Sequence, residues 1–148
     1  MKRFKFRLEP VIRYRQYLER LALIELARAK QDLFQTKKRI QEMQQSKKDA
    51  ATELDSRQAE GMKASRYRIY TDYLQGLSDR IESENERLVG IGRTIKERHQ
   101  AAETERIKKE TLEWVRQSEY TKHVQRINRA EQKAADELVS LRRGSCEF

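Results

Sequence analysis

From Leu26 to Arg57 the chain places its core-type residues alternately three and four positions apart. Leu26, Leu33, Ile40, Lys47 and Leu54 occupy one position of the repeat, and Ala29, Thr36, Met43, Ala50 and Arg57 the other. That spacing gathers side chains into one stripe along a helix, whereas a strand needs a period of two. Sustained over successive heptads, it is the pattern of a coiled coil. Pro occurs once and Gly five times in 148 residues, too few turn-formers for a sheet protein or a many-loop enzyme fold. The competing outcome is disorder, because Leu, Ile, Val and Phe total only 31 residues, about 21% of the chain, just above the level at which a charged sequence stays unfolded. Periodicity decides for helices. Ala, Glu, Lys, Leu and Arg supply 76 residues, about half the chain, as in long helices.

The pattern breaks once. Gly61 can take positive φ, and Ser65 is placed to cap a following helix. Beyond the break, Tyr70, Leu74, Leu77, Ile81, Glu84, Leu88, Ile91, Ile95, Arg98 and Ala102 resume the same rhythm, which weakens through Glu105 and Lys109. At Leu112 the phase slips by one residue and returns as Tyr120, Val124, Ile127, Ala134, Leu138 and Leu141, which predicts a stutter or kink. The expected architecture is all-α: two long helices in an antiparallel coiled-coil hairpin, forming a single elongated domain over 1–148. Helix 1 is placed at about 10–58, the turn at 59–65, helix 2 at 66–142 and a frayed tail at 143–148. A turn near residue 61 pairs residue i with roughly residue 123 − i, so Ile12 falls near Leu112. Upstream, Leu8, Val11, Ile12, Leu18, Leu21, Ala22 and Ile24 make a wider apolar stripe, and Pro10 suits a first helical turn. Core-type positions carry Lys47, Arg57, Glu84, Arg98 and Glu105, so the seam alone predicts modest stability and a partner that completes it.

Charge is uneven along the chain. Residues 1–30 hold nine basic and three acidic residues, 31–115 hold seventeen and sixteen, and 116–148 hold seven and five. In a hairpin, most of the net +9 would collect where the two chain ends meet. A phosphate backbone could use that excess, but apolar Val11, Ile12, Tyr14, Tyr17, Leu18 and Leu21 are threaded through it. The threading fits an amphipathic helix set into a protein groove better, and no nucleic acid is expected. A general coiled-coil chaperone or a basic, nucleic-acid-associated rod is the alternative function.

Catalytic and metal constellations are not found. His99 and His123 stand far apart, both expected as solvated helix residues, and Cys146 belongs to neither. Gly90-Ile91-Gly92 is only a fragment of a dinucleotide fingerprint, and no phosphate-binding GxxxxGK[ST] occurs. No enzyme activity, metal or cofactor is expected. No apolar run of about 18 residues exists to span a bilayer. The basic N-terminus lacks the apolar core of a secretory signal, and the lone cysteine fits a reducing compartment; both point to the cytoplasm. Past the break, Tyr73 begins a second stripe with Leu77, Arg80 and Glu84, and an aromatic with an apolar neighbour on a helix flank is a common interface anchor.

The opening FKFRLEPVIRYR, the stretch LERLALIELARAK and the segment SRYRIYTDYLQGLSDRI together resemble the FliJ family, coiled-coil components of the bacterial flagellar type III export apparatus. The resemblance covers almost the whole chain. It implies an antiparallel two-helix coiled coil like the central stalk of rotary ATP synthases, with no catalytic role of its own. The terminal pole would engage the hexameric export ATPase and promote its assembly, here through Phe4, Phe6, Leu8, Ile12 and Arg15 with the far end of helix 2. The resemblance also implies contact with the export gate protein FlhA and escort of export chaperones, with the ATPase regulator FliH a further candidate partner. The gate stripe of the family matches Tyr73 and Leu77; Arg80 and Glu84 stand where a small residue and a His are expected. The implied location is cytoplasmic, peripheral to the inner membrane at the flagellar base.

Overall fold

The structure, a computed structural model, describes residues 3–144. It contains two helices, α1 (Glu9–Glu60) and α2 (Ala64–Gly144), joined by Gly61, Met62 and Lys63. Both helices run past their expected ends. Glu60 remains helical because Gly61 follows at φ 93 and its N–H bonds the Gln58 carbonyl at 3.2 Å, closing the helix with the left-handed residue that glycine supplies at low cost. The Lys63 carbonyl accepts bonds from the Arg66 and Tyr67 N–H groups, each at 3.1 Å. Lys63 therefore takes the position just before α2, and Ser65, expected to cap it, lies inside the first turn. At the other end Arg143 and Gly144, expected to fray, are helical, and Arg142 and Arg143 suit the negative end of the helix dipole. The rest of the expected tail, Ser145–Phe148, lies outside the described residues. So does Cys146.

Two compact units are distinguished, one of Leu21–Ala102 and one of Met1–Arg20 with Glu103–Phe148. In the first, α1 and α2 form an antiparallel hairpin. Heptad positions a and d face inward, with Leu26, Leu33, Ile40, Lys47 and Leu54 at a on α1 and Leu77, Glu84, Ile91 and Arg98 at d on α2. Matching a on α1 to d on α2 sets residues whose numbers add to 124 opposite each other, which assigns Leu33 to Ile91 and Ile40 to Glu84. Hydrogen bonding and charge agree with this register: Tyr70 Oη donates to Glu53 Oε1 at 3.1 Å, Arg39 stands 3.9 Å from Glu84, and Arg87 bridges Asp32 at 3.3 Å. Leu26, Thr36, Ile40, Ala50, Leu54, Leu77 and Ile91 are buried. Lys47, Arg57 and Arg98 sit at core positions yet are exposed, because their stems can line the seam while the charges stay in water.

The second unit sets the N-terminal part of α1 and the segment before it against the second half of α2. Phe6 and Ile12 are buried, Ile12 completely. The Ile12 N–H bonds the Leu8 carbonyl at 3.0 Å, so Leu8 is the cap position and Pro10 falls in the first turn, where its missing N–H leaves nothing unpaired. Helix α2 is continuous through Leu112. The stutter expected there is absent as a helix break. The unslipped three-four rhythm carries on as Arg116 and His123, which are half-buried, and the slipped phase then takes over at Val124 and Ile127, half-buried where the unslipped Arg126 and Ala130 are exposed. Arg116 pairs with Glu9 at 3.0 Å, and His123, expected in solvent, packs on Phe4 with ring centroids 5.4 Å apart. Phe4 also meets Tyr120 edge-on at 5.3 Å. Phe4 thus packs on one residue of the slipped phase and one of the unslipped. From 128 to 144 every residue of α2 is exposed.

Candidate functional site

The five residues expected at the terminal surface fall into two groups. Ile12 and Phe6 point inward and fasten the segment 3–8 to α2. Arg15 is also turned inward, 3.6 Å from Glu105 Oε2. Phe4 is half-buried against Tyr120 and His123. Leu8 alone of the five is exposed, and Arg3, Lys5 and Arg7 are exposed around it. The arrangement follows from sequence alternation: residues 3–6 are not helical, and Phe4 and Phe6 take the sheltered side while the bases between them take the solvent side. A basic, partly apolar surface is the result.

Below it the seam is ionic. Residues facing each other by the rule of 124 are Arg15 with Lys109, two cations, and Glu19 with Glu105, two anions. The conflict is resolved diagonally, with Lys109 Nζ 2.6 Å from Glu19 Oε2 and Arg15 beside Glu105. Glu19 and Lys109 are well sheltered, with side chains 16% and 21% exposed. The bond to Glu19 holds the Lys109 ammonium proton more tightly than usual, with desolvation opposing it. Glu105 Oε2 is shielded from solvent yet has no hydrogen-bond partner among the described residues; its cations Arg15 and Lys108 stand at 3.6 and 3.7 Å. On the outer side of α2, Arg106 clamps both Glu103 and Glu110, and these bonds, led by that to Glu103, raise its affinity for its proton.

The stripe after the turn is likewise split. Tyr73 is 52% exposed and Leu77 only 6%, so Leu77 is a core residue facing Lys47. Arg80 is exposed and Glu84 half-buried. Both line a shallow groove of about 300 Å³ with Arg39, Glu42, Met43 and Ser46. Tyr73 and Arg80 occupy equivalent flank positions one heptad apart, which makes them the members a partner could touch first. The sequence reading did not identify the α1 side of this groove; the register of 124 would have supplied it, since Met43 and Ile81 then face each other.

Among the described residues, no group of three or more His, Cys, Asp or Glu side chains could hold a metal ion. No described helix is long and apolar enough to cross a membrane. What the chain offers chemically is surface: an apolar-basic end, a groove beside Tyr73, and an exposed helix end with Leu138, Val139 and Leu141.

Against known families, the model described as Flagellar FliJ protein matches residues 4–144. Nothing matches among the curated proteins or among the solved structures.

Proposed function

The chain belongs to the flagellar FliJ protein family and is a component of flagellar type III export; on that premise we propose that it acts non-enzymatically, as the element that engages the hexameric export ATPase. The observation that carries this reading is the anchored segment 3–8, where buried Phe6 and Ile12 hold Leu8, Arg3, Lys5 and Arg7 at the surface together. A ring that closes around this end would meet Leu8 and the bases directly, with Phe4, Phe6, Ile12 and Arg15 fixing their placement. The exposed residues 128–144 of α2 supply a second contact. Binding that favours the assembled hexamer over its free subunits promotes assembly by mass action, and coupling to a gate requires only that contact differ between nucleotide states.

Gate and chaperone roles extend the same proposal. Tyr73 and Arg80 would touch the gate protein FlhA, while Leu77 and Glu84 position them from the seam. Export chaperones, and FliH as ATPase regulator, would be further partners, at the cytoplasmic face of the inner membrane.

The test follows ATP hydrolysis and particle mass together when a flagellar export ATPase is mixed with the chain. Wild type should raise turnover and shift subunits to hexamers at well below one chain per subunit. Leu8→Asp, at an exposed site, should abolish both effects with helicity unchanged. Equal stimulation by wild type and variant would overturn the assignment of this surface. Ile12→Asp is the poorer probe, because it would place an unpaired charge in a fully buried site.

A further inference from the structure

Acids and bases at the start of the chain are sorted by side. Residues 3–20 hold six cations, Arg3, Lys5, Arg7, Arg13, Arg15 and Arg20, and two acids, Glu9 and Glu19. Both acids are turned to α2, Glu9 pairing with Arg116 at 3.0 Å and Glu19 with Lys109 at 2.6 Å. Arg15 goes with them, 3.6 Å from Glu105. The side chains of the other five cations are exposed, and none pairs with an acid or hydrogen-bonds another described residue. A solvated helix face normally interleaves its charges in pairs, as Arg28 with Glu25 does further along α1. The outward side of residues 3–20 instead carries positive charge with no carboxylate to offset it.

Apolar residues sit among these charges. At 3.6 residues per turn, Pro10, Tyr14 and Tyr17 fall on the side of α1 opposite fully buried Ile12, about 140–200° away, with Arg13 and Arg20 on one shoulder and Val11 on the other. Tyr14 is 56% exposed, Tyr17 52% and Val11 38%. The face belongs to one helix and is convex. We propose that it lies on an anionic phospholipid surface. Tyr14 and Tyr17 would sit at headgroup level, where a ring with a polar tip is at home, and the arginine stems would run along the apolar row while their guanidinium groups reach lipid phosphates. Three apolar side chains alone would hold weakly, and the charges alone would be screened by salt; each supplies what the other lacks. An acidic protein fits less well. The five charges recur at no helical period, three of them lying before α1 begins, and a field of headgroups takes them in any order whereas a protein partner would have to match their positions. Arg13, Tyr14, Tyr17 and Arg20 take no part in the ATPase reading, which shares only the bases of the segment before the helix.

The full chain would be sedimented at about 0.15 M salt with vesicles of phosphatidylcholine, alone and mixed with phosphatidylglycerol. Wild type should pellet with the mixed vesicles and stay in solution with phosphatidylcholine. Arg13→Glu combined with Arg20→Glu should weaken partitioning by at least about 20-fold, each lost charge being worth about fivefold. Lys37→Glu combined with Lys38→Glu makes the same change in net charge at exposed sites elsewhere on α1 and should weaken it by no more than about threefold. Tyr14→Ser combined with Tyr17→Ser keeps every charge and should weaken it by about fivefold or more. Circular dichroism should show unchanged helicity in all three, since every substituted residue is exposed. Equal losses from the two charge reversals would reduce the effect to net charge and overturn the proposal, as would full binding by the tyrosine variant or equal pelleting with both vesicles. Tighter capture by soluble polyglutamate than by vesicles of equal anionic charge would overturn it in favour of an acidic protein. No ATPase is present, so each of these results leaves the Leu8 reading to its own assay.

Discussion

The diagonal ion pairs at the second and third core layers from Ile12 offer the sharpest test of the register. Take Glu19→Leu, Lys109→Leu and the two together. At 2.6 Å and an effective dielectric of about 20, the gross attraction is about 6 kcal/mol; desolvation of two side chains about four-fifths buried cancels most of it. A net coupling of about 1–2 kcal/mol remains, above the 0–1 typical of surface pairs. Glu19→Leu alone leaves the Lys109 ammonium facing Arg15, like charge against like, and should destabilise by about 2 kcal/mol. That is about 4–8 °C in Tm for a chain of this size. Lys109→Leu leaves Glu19 facing Glu105 and should cost as much. The double variant keeps the Arg15–Glu105 pair and adds two leucines to the seam, each able to contribute about 1.5–3 kcal/mol if fully buried, so it should recover wild-type stability or exceed it. Urea unfolding followed by circular dichroism gives the cycle, and amide exchange over residues 103–116 localises it. Additivity of the two single changes to within about 0.5 kcal/mol would show that the pair is not coupled and that the register is wrong here. The pH dependence has a definite sign. The folded-state pKa of Lys109 is raised above its ordinary 10.5, so this contribution is complete below that pH and is lost as the pH climbs through the folded value. A pair lost well below pH 10.5 would contradict it.

Gly90→Ala and Gly92→Ala should each stabilise by about 0.5–1 kcal/mol, since both lie inside α2 and a Cβ there meets nothing within 4 Å; thermal melting of the single and double variants checks this. Gly61→Ala should instead cost about 1–2 kcal/mol, because φ is 93 and the open space around it removes any steric cause but the backbone. Tyr73→Ala should leave the melting temperature nearly unchanged, given that the ring is half exposed, while swarming motility in a complemented strain falls; unchanged motility would remove Tyr73 from the gate contact.

The fold was legible because its information is local and repeated. Leu26, Leu33, Ile40 and Leu54 sit in the buried seam as their spacing required, and one glycine in an otherwise glycine-poor stretch fixed where the chain turns. Helix ends were less legible, since Glu60, Lys63 and Ser65 differ little in propensity and the choice of cap depends on how tightly Gly61 closes the turn. The candidate surfaces were only half legible. Ile12 and Leu77 are apolar and lie beside functional candidates, and no single-helix pattern says whether such a residue faces a partner or the other helix; burial assigns both to the seam. The charged residues carried the opposite difficulty. Glu105 and Lys109 read as a weakening of the seam when α2 is considered alone. Once the turn sets facing residues to a constant sum, Arg15 falls opposite Lys109 and Glu19 opposite Glu105, and what looked like two defects becomes one complementary quartet. The same step isolates the outer row of α2, because only after a, d, e and b positions have absorbed every glutamate between 103 and 122 do Ile107, Trp114 and Thr121 stand out as uncharged and exposed. A coiled-coil sequence therefore states its seam residue by residue, but its surfaces become readable only when two helices are read against each other.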